Sequence, residues 1–151
     1  MIPLRHAALN EVLLHCPDDN ATREICSKNA PYRLWSFDRA GAGQVGGQLP
    51  LEHDGHGQIG PLASLVSGWS EWLRKSHPKA VRDRATHEHF LGHLRSGKEF
   101  EKTPILYAAP GHTDRHILDG RHRLFAFLEH AQTTTGATLS VYWSDLGRRV
   151  A

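Results

Sequence analysis

The sequence predicts an α+β fold: a single domain in which a small mixed β-sheet is covered by helices. Two observations support this fold class. Apolar residues recur at helical spacing in several long segments. Short β-type segments bounded by turn residues lie between those helices. The order along the chain is strand, helices, strand, strand, helix, strand, with the strands expected in Tyr32–Phe37, Thr103–Ala108, Arg115–Leu118 and Thr138–Trp143.

Composition narrows the class of protein. The 151 residues are 39% hydrophobic and 23% charged, which fits one domain with a buried core. No apolar run approaches the ~20 residues that a membrane span requires, and the start of the chain does not resemble a secretory signal. We therefore expect a cytoplasmic protein without membrane contact. Cys16 and Cys26 are too few for a disulfide scaffold, so we expect packed thiols.

Residues 1–30 are predicted to form an N-terminal helical extension. Apolar spacing indicates a first helix from Leu4 to His15, ended by Cys16 and Pro17. A second short helix is predicted from Ala21 to about Ser27. The α+β domain itself is expected over residues 31–151.

The segment Gly41–Gly60 is rich in glycine and is predicted to be a mobile loop, serving either as a flap over a ligand or as a linker. It opens with a glycine pattern of the dinucleotide-binding type, Gly41-Ala42-Gly43-Gln44-Val45-Gly46. That pattern must lead into a helix, whereas Gly47–Pro50 is poor helix-forming sequence. The pattern therefore does not indicate a dinucleotide site.

Two helices are predicted next. The first begins at Leu62 and ends before Pro78, with two tryptophans expected in the core. The second runs from Lys79 to Ser96, with these residues expected to be buried: Val81, Ala85, Phe90, Leu91 and Leu94. A basic rim consists of Arg74, Lys75, Lys79, Arg82, Arg84, Arg95 and Lys98. It could contact nucleic acid, or it could pair with the interleaved acids Glu71, Asp83, Glu88 and Glu99.

His89 and His93 lie one helical turn apart and could share a metal ion. The helical metalloprotease pattern requires Glu directly after the first histidine, where Phe90 stands. We therefore assign no metal-ligating residue.

The most informative stretch is the hairpin-to-helix junction at 115–124. A turn at Pro110-Gly111-His112 joins two strands, and Asp119 is expected to cap the helix that follows. Gly120 allows close backbone approach, and the first helical turn carries Arg121, His122 and Arg123. The buried face is predicted to hold Leu124, Phe127, Leu128 and Ala131. In the last strand, Leu139, Val141 and Trp143 should share one face.

Cations at a helix start are locally unfavourable unless an anion binds there, because the free amides already make that end positive. A phosphate would satisfy both the amides and the basic side chains. The alternative is that the two arginines extend into solvent or pair with carboxylates, while His122 only caps the helix.

The run Ile117–Ala126 resembles the strand-turn-helix signature of the ParB/sulfiredoxin superfamily, a Gly-x-(His/Arg)-Arg box followed by an apolar helix. The resemblance covers about Thr103–Trp143. It implies the superfamily's α+β fold and a site for nucleotide phosphates. The implied phosphate-binding residues are Arg115, Gly120, Arg121, His122 and Arg123.

Two departures limit what the resemblance implies. Sulfiredoxins place a catalytic cysteine immediately before the His-Arg pair, where this chain has Arg121, so thiol chemistry is not implied. Partition-type ParB proteins continue into a helix-turn-helix region, whereas this chain ends after one further strand. A centromere-binding clamp is therefore not implied either.

Two functions are predicted from these residues. The first is hydrolysis or transfer of a phosphoanhydride or phosphodiester group of a nucleoside triphosphate, with Mg²⁺ accompanying the nucleotide. Asp119, His122 and Arg123 are the candidate catalytic residues. His122 would donate to a leaving oxygen, and Asp119 would cap the helix, orient an arginine or help hold the metal.

The alternative is a non-catalytic module that binds a nucleotide or nucleic acid through the same turn. It is favoured by the lack of an obvious second carboxylate beside the signature. The fold could, however, bring in Asp38, Glu52 or Asp54.

Overall fold

The computed structural model describes residues 1–51 and 57–147 and has the predicted mixed α+β fold. The strands are β1 Ile2–Ala7, β2 Tyr32–Asp38, β3 Gly46–Gln48, β4 Ile59–Pro61, β5 Ile105–Leu106, β6 Ile117–Asp119 and β7 Thr138–Ser144. The helices are α1 Leu9–His15, α2 Asn20–Lys28, α3 Leu62–Leu73, α4 Pro78–Arg95 and α5 Arg121–Thr133. Short 3-10 turns span Arg39–Gly43 and Asp145–Gly147.

The main sheet has five strands in the order β1-β2-β7-β5-β6. Its centre is the antiparallel pair of β2 and β7, in register from Tyr32 opposite Ser144 to Asp38 opposite Thr138. Strand β5 runs parallel to β7, and the predicted hairpin of β5 and β6 is confirmed. This order places the β6–α5 junction at one edge of the sheet.

The first predicted helix is wrong over its first residues. Ile2–Ala7 is a strand that pairs antiparallel with β2, and the helix begins only at Leu9. Backbone pairing with the neighbouring strand outweighs the apolar spacing that favoured a helix from Leu4. The second predicted helix is confirmed as α2.

The glycine-rich segment is not a mobile loop over its described parts. Strands β3 and β4 form a small antiparallel sheet, and the backbone before it makes a 3-10 turn. Gly46 lies so close to the loop before β6 that an added Cβ would stand 1.6 Å from the Asp114 carbonyl oxygen. Glycine is thus required for this hairpin to dock. The candidate carboxylates Glu52 and Asp54, with the remainder of 52–56, lie outside the described residues.

The two tryptophans of α3, Trp69 and Trp72, are buried as predicted, but the buried face of α4 was predicted correctly only in part: Leu91 is buried as expected. Val81 is 41% exposed, and Ala85 is also exposed. The buried residues of α4 are Ala80, His87 and Leu91. His87 is polar and lies within this buried face, so the spacing of apolar residues alone does not reveal which face is buried.

Two hydrophobic clusters lie on opposite faces of the main sheet. One contains Val141 and Trp143 together with residues of α3 and α5, and the other contains Tyr142 with residues of α1 and α2. The alternation of side chains along a strand explains this division, and it confirms the face predicted for β7. None of the helices in the described ranges is long and apolar enough to cross a membrane.

Candidate functional site

A pocket of about 410 Å³ opens where β6 turns into α5. Its walls come from β3, from the loop before β6 and from the first turn of α5. The lining residues are Gly47, Gln48, Tyr107, Ala109, Pro110, Arg115, Ile117, Leu118, Asp119, Gly120, Arg121 and His122. The fold therefore brings all but one of the predicted site residues to one pocket; the exception is Arg123.

The turn itself depends on Gly120. Its φ of 108° lies in the left-handed region, and an added Cβ would stand 2.7 Å from Cβ of Pro104. Gly120 is the N-cap of α5 and no side chain caps the helix, so the prediction that Asp119 caps it is wrong. The amides of the first turn therefore have no side-chain acceptor at the wall of the pocket.

Asp119 is instead paired with Arg123. Nη2 of Arg123 donates to Oδ2 of Asp119 at 2.8 Å, and Nη1 donates to the carbonyl oxygen of Lys102. The guanidinium also lies 5.8 Å from the ring of Phe90. Arg123 is only 8% exposed and is engaged beneath the turn. Of the roles expected for Asp119, orienting an arginine is the one that this geometry supports.

Arg121 has a different environment. It lines the pocket, and its guanidinium lies 5.5 Å from the ring of Trp69. Its Nε is buried, and the side chain makes no hydrogen bond or ion pair within residues 1–51 and 57–147. Burial lowers the pKa of Arg121, and the charge of Asp83 opposes that shift without forming an ion pair. A partly buried cation that no carboxylate contacts directly is costly, so an anion bound in the pocket would stabilise it.

Arg115 adds a second cation to the pocket. Its Nη1 donates to Oε1 of Gln48 at 3.0 Å, while its buried Nε has no partner in the described part of the chain. The hairpin that carries Gln48 is held beside Arg115 by two hydrogen bonds between Gly46 and His116. The Gly46 amide donates to His116 Nδ1 at 2.8 Å, and the His116 amide donates to the Gly46 carbonyl at 3.0 Å.

His122 is held by a carboxylate that sequence analysis assigned to an exposed charged face. Nε2 of His122 lies 2.7 Å from Oδ1 of Asp83, and Nε1 of Trp72 donates to Oδ2 of Asp83 at 2.8 Å. The Asp83 side chain is only 16% exposed. The available signal was Trp72, because a buried indole requires an acceptor, and α4 returns past α3 at this point.

Trp69 supports both pocket residues of the first helical turn. Its ring stacks on Phe125 with centroids 4.7 Å apart and meets His122 edge-on at 5.6 Å. Its Nε1 donates to Nδ1 of His87 at 3.1 Å. Burial lowers the pKa of His87, in keeping with a neutral acceptor. The rings below the pocket thus restrict where Arg121 and His122 can move.

Asp38, one of the acids that the fold could have brought to the site, does not reach it. The Asp38 carboxylate accepts from the Gly41 amide at 2.8 Å and does not line the pocket. Among the residues that the structure describes, Asp119 is the only carboxylate in the pocket wall, and no group of three or more His, Cys, Asp or Glu side chains could hold a metal ion. The rings of His89 and His93 lie 5.4 Å apart.

The predicted basic rim is partly engaged within the protein. Arg84 donates to the Leu73 carbonyl at 3.0 Å, and Arg95 lies 3.8 Å from Glu129. Neither contact is with the interleaved acids that were expected to pair with the rim, so pairing with those acids and contact with nucleic acid both stay predictions.

Comparison of the chain with protein-family models, curated proteins and solved structures finds no match. The resemblance of Ile117–Ala126 to the ParB/sulfiredoxin signature therefore remains a prediction.

Proposed function

We propose that this pocket binds the phosphate groups of a nucleotide and catalyses hydrolysis or transfer of a phosphoanhydride or phosphodiester group. One observation carries the proposal: Arg121 is a partly buried cation that makes no hydrogen bond or ion pair among the described residues, and it lies beside helix-start amides that no side chain caps. An anion with several acceptor oxygens satisfies both sets of donors at once.

The other lining residues fit such a ligand. Arg115 brings a second guanidinium to the pocket wall, and the volume of about 410 Å³ is within the usual range for small-molecule pockets. Tyr107, Pro110 and Ile117 supply apolar surface next to these charges. Charged and apolar groups in one pocket together suit a phosphorylated molecule with a ring.

Catalysis is assigned to His122, which lines the pocket next to Arg121. In this proposal Asp119 and Arg123 keep the turn in shape and do not touch the reacting atoms. Mg²⁺ would arrive with the phosphates, because Asp119 is the single pocket carboxylate among the described residues and its Oδ2 accepts from Arg123. A cytoplasmic location, where nucleoside triphosphates are abundant, is part of the proposal.

One observation favours the alternative of a non-catalytic binding module. The single carboxylate in the described pocket wall is already paired with Arg123, so it is poorly placed to activate a nucleophile. Nucleotide binding without turnover is therefore the second candidate function.

Titration calorimetry tests the binding site. ATP, CTP and GTP are titrated with Mg²⁺ into the wild type, Arg121→Ala and Arg82→Ala. Arg82 is an exposed arginine of α4 away from the pocket and serves as the matched control. Loss of charge-assisted hydrogen bonds should weaken binding by about tenfold to a hundredfold in Arg121→Ala and leave Arg82→Ala unchanged. Equal affinity in Arg121→Ala and the wild type would contradict the site.

Phosphate release from the nucleotide that binds distinguishes the two functions. Turnover that requires His122, compared between the wild type and His122→Gln, supports the enzyme. Tight binding without release of phosphate supports the binding module. If no nucleotide binds or raises the melting temperature, both functions lose their common basis.

A further inference from the structure

The side chains behind His122 define its chemical role more closely. We propose that Asp83 is a positioning residue that fixes the tautomer of His122, so that Nδ1 of His122 serves as the general base of the reaction. The inference rests on the proposed function, because it assigns the proton transfer within the same pocket.

The hydrogen bonds of Asp83 determine which ring nitrogen of His122 carries the proton. One carboxylate oxygen accepts from Trp72 Nε1, which can only donate, and the other lies 2.7 Å from His122 Nε2. An ionised carboxylate only accepts, so Nε2 of the neutral imidazole is the protonated nitrogen. Nδ1 is then the nitrogen with the free lone pair, and it makes no hydrogen bond within residues 1–51 and 57–147.

Three helices hold this arrangement in place. Trp72 comes from α3, Asp83 from α4 and His122 from α5. Trp72 is buried, and the edge of Trp69 limits rotation of the imidazole. His122 nevertheless keeps 29% of its side chain exposed at the pocket wall. A rigid ring with one nitrogen engaged and the other available is the arrangement that general base catalysis requires.

The proton transfer follows from this tautomer. Nδ1 takes a proton from a water molecule or a substrate hydroxyl while the oxygen of that group forms a bond to phosphorus. The bond from phosphorus to the leaving oxygen breaks, and that oxygen keeps the electron pair. Asp83 stabilises the imidazolium without taking its proton, and His122 then returns the proton to the leaving oxygen. His122 thus accepts a proton before it donates one, whereas the sequence suggested donation alone.

A purely structural role for Asp83, as a link between α4 and α5, predicts different behaviour. Its loss would then lower stability and nucleotide affinity without altering the state of the ring. The position of the ring proton and the separation of kcat from KM are the measurements that distinguish the two roles.

The tautomer is measured first, in the protein without ligand. Long-range proton–nitrogen correlation spectra at pH 8 should show His122 protonated at Nε2, with the signal assigned by its loss in His122→Gln. Asp83→Asn can donate to Nε2 and should move the proton to Nδ1. Glu88→Gln, an exposed acid of the same helix, should leave the signal unchanged. A wild-type Nδ1 proton, or no change in Asp83→Asn, overturns the proposal.

Kinetics with the nucleotide that is hydrolysed complete the test. Asp83→Asn should lower kcat by about 10²- to 10⁴-fold and change KM less than threefold. A parallel loss of melting temperature and affinity with kcat retained overturns the positioning role. Absence of turnover in the wild type overturns the general base role but leaves the tautomer result and the phosphate site to be judged separately.

Discussion

Arg121 and Arg123 are two residues apart on α5 and have opposite environments. Residues i and i+2 of a helix do not face each other, so one guanidinium reaches the pocket and the other lies below the turn. Arg121 makes no hydrogen bond or ion pair in the described structure, whereas Arg123 binds Asp119 and the carbonyl of Lys102. The two arginines look equivalent in the sequence. Their surroundings in the structure indicate that Arg121 is available to a ligand, whereas Arg123 stabilises the fold.

We expect Arg123→Ala to lower the free energy of unfolding by about 3 kcal/mol, because it leaves the partly buried Asp119 carboxylate without its partner. Urea denaturation measures the change. Arg33→Ala is the control, since it breaks the more exposed ion pair with Asp145 and should cost less than about 1 kcal/mol. An Arg123→Ala protein of normal stability but reduced nucleotide affinity would show that Arg123 is a phosphate ligand after all.

At the scale of elements, the β6–α5 junction depends on one glycine. Gly120 has φ of 108° and lies against Pro104, so a side chain there meets both backbone strain and a steric clash. A different residue would displace the start of α5 and with it the amides and side chains that face the pocket.

We expect Gly120→Ala to destabilise the protein by about 3 kcal/mol, from left-handed strain together with overpacking. Gly111→Ala separates the two causes, because Gly111 has φ of 72° but no atom within 4 Å of an added Cβ. Its cost should be about 1 kcal/mol. Gly92→Ala, within α4 and equally uncrowded, should instead stabilise by about 0.5–1 kcal/mol. Thermal unfolding of the three variants checks this order.

Elements with a strong internal pattern were predictable from the sequence. Apolar residues at strand or helix spacing predicted the strands β2 and β7 and the helices α3 and α5, and the structure confirms these four elements. Several of the incorrect predictions involve partners distant in sequence, whereas the wrong cap at Asp119 is a local error, because that carboxylate pairs with Arg123. β1 is a strand because β2 lies beside it, and β3 docks because the Gly46 backbone meets His116.

In the candidate site, too, some residues could be predicted from the sequence and others could not. The predicted turn at 119–123 forms one wall of a pocket, because its glycine and its helix start are local features. Asp83 was missed because its role arises from the packing of three helices, and no spacing within α4 marks it. The residues of the turn could therefore be predicted from the sequence. The residues that hold them in position could be identified only from the folded structure.

For the whole molecule, three histidines make stability depend on mild acid. Burial lowers the pKa of His15, His87 and His116 below its usual value of 6.5, and each of them accepts a hydrogen bond at Nδ1. In the unfolded chain these imidazoles take up protons near pH 6.5, whereas in the folded protein they resist protonation. The unfolded state then binds more protons, so stability falls as the pH drops below about 6.5.

We expect the free energy of unfolding in urea to change little between pH 7.5 and pH 7 and to decrease as the pH falls through about 6.5 to pH 5. Carboxylates contribute only at lower pH, since the pKa of Glu11, for example, is lowered from 4.5 to about 2. His116→Asn retains an acceptor for the Gly46 amide but does not titrate, so it should reduce the slope. His112→Gln, at an exposed position, should not. A flat profile between pH 7.5 and 5 would contradict this assignment.

The two edges of the main sheet differ in a way that bears on solubility. At one edge, β6 is three residues long, and the Gly46 backbone binds to His116 just before it. At the other edge, β1 exposes Ile2 and Leu4, at 63% and 54%. This strand also carries Pro3, which has no amide hydrogen, and a shift in register before Arg5. Prolines, irregular register and short strands hinder pairing with a second sheet, so the strand with the most exposed apolar surface is also poorly suited to seed aggregation.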